Sequence, residues 1–183
     1  DGEMFVYDAD MEWDMGAPWY RPTRVNHGVS GGENGWRATS KKWRKYYPDT
    51  VGSVIDIGPG SPTGVIAGIN AKFPTRYRDA IFLCDWTFAT MYAMHLKPDG
   101  SSYKGKVDTF VTNTDGSLAL TDVDIGPDGH MYFCVGGRKG QSYLYRVRYV
   151  GDESTQLSPL DTSSEHYQAR KTRHKIEAFH GKS

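Results

Sequence analysis

Arg78-Asp-Ala-Ile-Phe-Leu-Cys-Asp85 and Asp128-Gly-His-Met-Tyr-Phe-Cys-Val135 are two versions of one pattern, a turn followed by a short aromatic-rich strand. A third version, Asp1-Gly-Glu-Met-Phe-Val-Tyr-Asp8, opens the chain. Matching positions Ile81 and Met131 lie 50 residues apart, and Met4 and Ile81 lie 77 apart. Recurrence of this kind reveals architecture before any single motif does. After a few polar residues each later copy is followed by a second strand, Thr90-Met-Tyr-Ala-Met-His-Leu96 or Tyr143-Leu-Tyr-Arg-Val-Arg-Tyr149, so both read as hairpins. Strands also precede them. These are Gly64-Val-Ile-Ala-Gly68 and Leu120-Thr-Asp-Val-Asp-Ile125, the latter running into Gly126-Pro-Asp-Gly129, while Val107-Asp-Thr-Phe-Val-Thr112 follows the first complete hairpin. Asp99-Gly100, Asp115-Gly116 and Asp128-Gly129 supply turn signals.

A unit of about four antiparallel strands recurring at roughly 40 to 50 residues is the pattern of a β-propeller blade. The expected fold is therefore all-β: about three four-stranded antiparallel blades at residues 1–35, 50–112 and 118–150, making a partial propeller over 1–151. The longer first spacing accommodates a basic, aromatic insertion around Trp36–Asp49. From Asp152 the chain turns polar, and Thr162-Ser-Ser-Glu165 resembles a helix capping box ahead of a charged stretch to Phe179. Residues 152–183 thus read as a linker and one helix leading to a further domain. Closure of a ring takes at least four blades, so the remaining blades are expected elsewhere in the same precursor or in a companion chain. Opening at Asp1 inside a strand fits an excised piece of a longer polypeptide.

Composition agrees with many short strands. Gly at 21 and Pro at 9 serve tight turns, and 12 Tyr, 7 Phe and 5 Trp suit pleated surfaces. Twenty-two basic side chains balance 22 acidic ones, which argues against a dedicated nucleic-acid binder. No apolar run approaches the roughly 18 residues of a membrane span. Cys84 and Cys134 form no CxxC pair, so there is neither a zinc knuckle nor a haem attachment motif. Both read as small buried strand residues with free thiols. Gly58-Pro-Gly-Ser-Pro62 lacks the ending of a phosphate loop, and no nucleophile elbow or HExxH motif is present.

Charge is unevenly spread. Residues 1–15 carry six acids and no base, whereas residues 20–47 carry seven bases against Glu33 alone. Asp8, Asp10 and Asp14, with Glu12 between them, are the candidate metal ligands, because an oxygen-rich loop suits Ca²⁺ and close acids repel without a cation. The competing reading is a solvated acidic loop neutralised by Arg21 and Arg24. Arg21, Arg24, Asn26 and His27 form a polar constellation beside Trp19 and Tyr20 that could bind an anion through planar guanidinium donors, or could lock blades together. Arg37-Ala-Thr-Ser-Lys-Lys-Trp-Arg-Lys-Tyr-Tyr47 could stack single-stranded nucleic acid, but a solvated loop or an interdomain contact fits a neutral protein better.

A family resemblance rests on Arg21-Pro-Thr-Arg-Val-Asn-His27, Gly31-Gly-Glu-Asn-Gly-Trp-Arg37, Ser61-Pro-Thr-Gly64, Phe73-Pro74, Tyr77-Arg78, Asp85-Trp86 and Gly126-Pro-Asp-Gly129. Over about residues 1–150 the chain resembles the C-terminal part of the quinoprotein glucose/sorbosone dehydrogenase-like propellers. It is most similar to a branch in large secreted bacterial proteins that also carry helical repeats and a c-type cytochrome domain. The resemblance implies a six-bladed propeller that holds pyrroloquinoline quinone (PQQ) beside Ca²⁺, oxidises a sugar or alcohol, and works in the periplasm or outside the cell. It places a calcium loop near Ala9-Asp10-Met11 and brings Ser61, Thr63 and Arg24 to the border of the cofactor. Where the sugar dehydrogenases have a lysine after the Asp85 strand, this chain has Trp86, Thr87 and Phe88; where they have an arginine pair, it has Leu118, Ala119, Leu120 and Thr121. The catalytic His of the family belongs to a blade outside this chain.

Two functional classes follow. One is a quinone-dependent sugar or alcohol dehydrogenase that passes electrons to a haem domain. The other is a catalytically silent propeller that binds a glycan or a protein, or organises a multidomain protein.

Overall fold

The computed structural model describes residues 2–35, 46–48, 50–114, 118–137 and 139–182. The basic stretch at 37–45, the Asp115-Gly116 turn and Arg138 lie outside the described residues. Ten strands form three antiparallel sheets. The first is β1 (Met4–Asp8), β2 (Thr23–Gly28) and β3 (Ile55–Gly58); the second is β4 (Pro62–Ala67), β5 (Ala80–Asp85), β6 (Thr90–Asp99) and β7 (Ser102–Thr112); the third is β8 (Leu120–Ile125), β9 (Met131–Val135) and β10 (Tyr143–Val147). Within each sheet the strands lie in chain order. This is the meander of propeller blades, with three, four and three strands among the described residues rather than four in each. A four-residue helix, α1 (Thr75–Arg78), precedes β5, and α2 (Glu165–Glu177) follows the third sheet. No described helix is long and apolar enough to cross a membrane.

The three repeat copies fold as β1, β5 and β9, and their registers coincide. Met4 pairs with Gly28, Ile81 with Met94 and Met131 with Val147, each of these strands meeting the next strand of its sheet in the same way. β5 is an unbroken apolar run because both of its faces are covered, so its residues are all buried. Arg24, Asn26 and His27 of the polar constellation lie on a strand, Thr23–Gly28, and Ile55–Gly58 completes the first sheet rather than opening the second.

The chain divides into two compact units. One comprises residues 1–59, 97–104 and 160–183, and the other residues 60–96 and 105–159. In the second unit the facing sides of the second and third sheets enclose Phe82, Met91, Leu120, Val123, Met131 and Phe133, each nearly or fully buried. Full burial contributes about 1.5–3 kcal/mol for a side chain of this size, so this layer supplies most of the unit's cohesion. β4 and β8 approach closely because Gly64 stands at the crossing: a Cβ there would lie 2.8 Å from the Val123 nitrogen. Phe110 of β7 packs against Phe82 and Phe73, with ring centroids 4.7 and 5.7 Å away.

In the first unit α2 is capped by Ser164, whose hydroxyl accepts from the Tyr167 amide at 3.2 Å. The capping box read at Thr162–Glu165 is thus displaced by two residues, and Glu165 sits in the first turn, where its charge suits the helix dipole. Cys84 is buried as expected, but Cys134 is exposed, on the face of β9 away from the core; neither is in a disulfide.

Candidate functional site

β4 begins, β5 ends, β8 begins and β9 ends at one end of the second unit, as the pairings Pro62 with Asp85 and Leu120 with Val135 require. That end carries Ser61 just before β4, Thr63 near the start of β4, and the Trp86–Phe88 segment after β5. Thr63 donates through Oγ1 to the Leu120 carbonyl at 2.9 Å and approaches the Cys84 carbonyl at 3.3 Å, tying the inner strands of the two sheets together. Ser61 accepts at Oγ from the Thr87 hydroxyl at 2.7 Å, and its carbonyl accepts from the Trp86 amide at 2.9 Å. Asp85 is fully buried and organises the turn: its Oδ1 accepts from the Phe88 amide at 3.0 Å and the Ser61 amide at 3.3 Å. Ala89 closes this turn at a φ of 51°. Gly60 passes so near that a Cβ there would lie 2.0 Å from Asp85 Oδ2.

Trp86, noted in the sequence only as standing where the sugar dehydrogenases have a lysine, lies at this end. Its Nε1 donates to the Gly136 carbonyl at 3.1 Å, fixing the indole across to the third sheet. It forms one wall of a cavity of about 410 Å³ whose other lining residues are Ala119, Val135, Gly136, Gly137, Gly140, Gln141 and Tyr143. None of these is charged. Among the described lining residues, two aromatic side chains offer apolar cover and one side-chain amide both donates and accepts hydrogen bonds. Burial, with the Asp122 charge nearby, pushes the Cys84 thiol up to about 12, so it is no nucleophile at neutral pH.

The first unit holds the other candidates. Arg24, Asn26 and His27 are all buried. Arg24 donates from Nε to Asp8 Oδ2 at 3.0 Å and from Nη2 to the Asn34 carbonyl at 2.5 Å; Asn26 donates to the same Asp8 oxygen at 3.2 Å. Asp10 accepts from the Tyr20 hydroxyl at 2.7 Å, and burial together with this bond raises the Tyr20 pKa. Asp14 closes the short 3₁₀ turn Glu12–Asp14 and is half-buried. The carboxylates of Asp8 and Asp10 are thus engaged by an arginine, an amide and a phenol. Among the described residues no three His, Cys, Asp or Glu side chains converge to hold a metal ion. Arg24 belongs to the first unit, while Ser61 and Thr63 belong to the second.

His27 forms the centre of the first unit's polar network. Its Nε2 lies 2.8 Å from Glu3 Oε2 and its Nδ1 2.9 Å from the Ser102 hydroxyl, with Phe5 stacked on the ring and Tyr103 against its edge. Arg173 of α2 donates from Nη2 to both Glu3 oxygens at 2.6 and 2.7 Å. Burial alone would raise the Glu3 pKa, but hydrogen bonds from Arg173 and His27 and the charge of Arg173 outweigh it and hold the carboxyl at about 2. With Glu3 ionised, the network anchors α2 to the first sheet and leaves no open approach to the imidazole, which is 1% exposed.

No family model matches the chain, and no curated protein matches it by sequence. Solved structures do. One is an oxidoreductase from Thermus thermophilus described as a glucose dehydrogenase, 20% identical, with a TM-score of 0.60 over 79% of this chain and 41% of that one. A second, also described as a glucose dehydrogenase, is 15% identical with a TM-score of 0.59 over 82% of this chain and 42% of that one. The chain has the fold of part of these proteins, and it spans about two fifths of their length.

PQQ carries several carboxylates and needs cationic partners, and Ca²⁺ takes six to eight oxygens. The described residues do not fit either group. No described residue of the cavity lining is charged, and of the acids expected to hold calcium Asp8 is bonded to Arg24 and Asn26 and Asp10 to Tyr20.

Proposed function

We propose that this chain is part of a sugar-dehydrogenase-type propeller and that its mouth binds a neutral sugar or sugar alcohol. The observation that carries the reading is the cavity lined by Trp86 and Tyr143, with Gln141 as its polar side chain and no charged group among the described lining residues. Sugars present flat patches of C–H bonds between hydroxyls. The indole and phenol rings would cover the former, while the Gln141 amide and the backbone at Gly137 and Gly140 would bond the latter. In this role the propeller is a catalytically silent glycan-binding module. Calorimetric titration of the full-length protein with a panel of aldoses and alditols tests it: binding that Trp86→Ala weakens at least tenfold supports the reading, and no heat from any sugar defeats it.

The likeness to two glucose dehydrogenases favours a second reading, in which the completed ring oxidises the bound sugar and passes electrons to a cytochrome c domain. Cationic partners for PQQ and ligands for Ca²⁺ would then come from blades outside the described residues. Adding PQQ and Ca²⁺ to the full-length protein and following sugar-dependent dye reduction separates the two. Reduction that requires both supports the redox reading, and sugar binding without reduction supports the silent one. Under either reading the natural setting is the periplasm or the cell exterior, where free sugars are met.

A further inference from the structure

Two serine–histidine hydrogen bonds occur among the described residues, both in the first unit, and they differ in access. Ser102 meets His27 at 2.9 Å, but that imidazole is almost fully buried and its other nitrogen is held by Glu3. Ser30 meets His180 at 2.5 Å, from Oγ to Nδ1, and both residues are exposed. Ser30 and His180 also line a cavity of about 500 Å³ whose wall includes Val29, Ala169, Arg173, Ile176 and Glu177. A nucleophile and a base within hydrogen-bond reach, on the wall of one cavity, are the parts from which covalent catalysis is built.

The local fold holds the pair in place. Ser30 stands in the turn after β2, and its amide donates to Glu177 Oε1 at 3.2 Å, a carboxylate that Arg173 grips at 2.9 and 3.0 Å. Gly31, at a φ of 74°, lets the imidazole come close: a Cβ there would lie 3.3 Å from His180 Cε1. The His180 amide donates to the Glu177 carbonyl at 3.0 Å, so the ring rides on the turn that ends α2. Among the described residues no hydrogen bond engages its Nε2. With the ring proton on Nε2, Nδ1 accepts the Ser30 hydroxyl and is set to take its proton. The lining indicates the substrate. Val29, Ala169 and Ile176 are apolar, and the two full charges, Arg173 and Glu177, neutralise each other as an ion pair. An uncharged molecule with a short aliphatic arm suits such a wall.

We propose that Ser30 and His180 are a hydrolytic dyad that cleaves neutral, short-chain acyl esters. Ser30 Oγ bonds to the ester carbonyl carbon while its proton passes to His180 Nδ1. The bond from that carbon to the alcohol oxygen then breaks, and the imidazolium returns the proton to the leaving oxygen. Water attacks the acyl-Ser30 and gives a proton to Nδ1; the acyl–Oγ bond breaks, the carboxylic acid departs, and Ser30 Oγ recovers its proton. The dyad uses no residue of the Trp86 cavity, so sugar binding and ester cleavage stand or fall separately.

Treating the full-length protein with a fluorophosphonate probe, mapping the adduct by mass spectrometry and following p-nitrophenyl butyrate hydrolysis in parallel tests this. The adduct is expected on Ser30 at least tenfold faster than on any other serine. His180→Gln removes the base and should slow both labelling and hydrolysis about a hundredfold. Ser30→Ala should abolish the adduct and the hydrolysis together. An unlabelled Ser30, labelling as fast in His180→Gln as in the parent, or labelling of Ser102 in its place would overturn the proposal. So would ester hydrolysis that survives in Ser30→Ala.

Discussion

Glu3 offers the sharpest quantitative test of how the first unit is held together. Its carboxylate is 7% exposed and receives Arg173 on both oxygens and His27 on one. The folded carboxyl titrates at about 2 against 4.5 for an unperturbed one. At 1.36 kcal/mol per unit this difference corresponds to about 3 kcal/mol, and at so low an exposure little of it is lost to solvent screening. Because the folded pKa is the lower one, the contribution is fully present above pH 4.5 and disappears as the pH falls through 2. Glu3→Gln should therefore lower stability by about 3 kcal/mol at pH 7, since Arg173 and His27 then face a neutral amide. At pH 2 the parent carboxyl is about half protonated in the folded state and almost fully so in the unfolded one, and the gap should nearly close. Urea unfolding of both proteins at pH 7, 4.5, 3 and 2 measures the two curves. A difference that is the same at pH 7 and pH 2, or a parent curve with no more slope than the variant between pH 4.5 and 2, would refute the account of Glu3 as an ionised anchor.

Three other outcomes follow from the mouth of the second unit. Gly60→Ala would drive a methyl group against the buried Asp85 carboxylate and should cost about 1–3 kcal/mol, read as a lowered urea midpoint; an unchanged midpoint would mean the turn yields freely. Thr63→Val keeps the shape but removes the hydroxyl that bonds the Leu120 carbonyl, so about 1–2 kcal/mol should be lost, with faster amide exchange at the start of β8. A maleimide reagent at pH 7 should label Cys134 and spare Cys84, whose thiol is buried and titrates at about 12; mass spectrometry that finds both labelled in the native state would contradict the burial of β5.

The blades were legible because a strand covered on both faces leaves an unmistakable apolar run, as Ile81–Cys84 does, and because Met131–Cys134 repeats that run although only its Met131 and Phe133 side is buried. β2 escaped for the opposite reason. Thr23-Arg-Val-Asn-His-Gly28 is polar, and polarity in a short segment suggests a site, yet these side chains are buried and spent on one another and on Glu3, Asp8 and Ser102. Donors and acceptors are visible in a sequence, but not the groups that satisfy them, so a constellation built to bind an anion and one built to bind its own neighbours look alike. Two short edge elements, Ile55–Gly58 and the displaced cap at Ser164, depend on tertiary pairing and on one hydrogen bond, and neither leaves a periodic trace.

The repeat also explains why chemistry and scaffold could be told apart at the mouth. Thr63 and Thr121 occupy equivalent positions on β4 and β8, and each hydroxyl bonds to the backbone carbonyl of the equivalent cysteine on the next strand, Thr63 to Cys84 and Thr121 to Cys134. A residue that recurs in the same structural role from blade to blade is part of the frame. Trp86 has no such counterpart: after β9 its place is taken by Gly136, and the glycine's carbonyl accepts the indole N–H. Breaking the internal symmetry at that one point opens space on the third sheet and fills part of it from the second. A cavity with an aromatic wall results where two identical blade ends would leave none. The departure from the repeat, rather than the repeat itself, is what shapes the cavity at this end of the second unit.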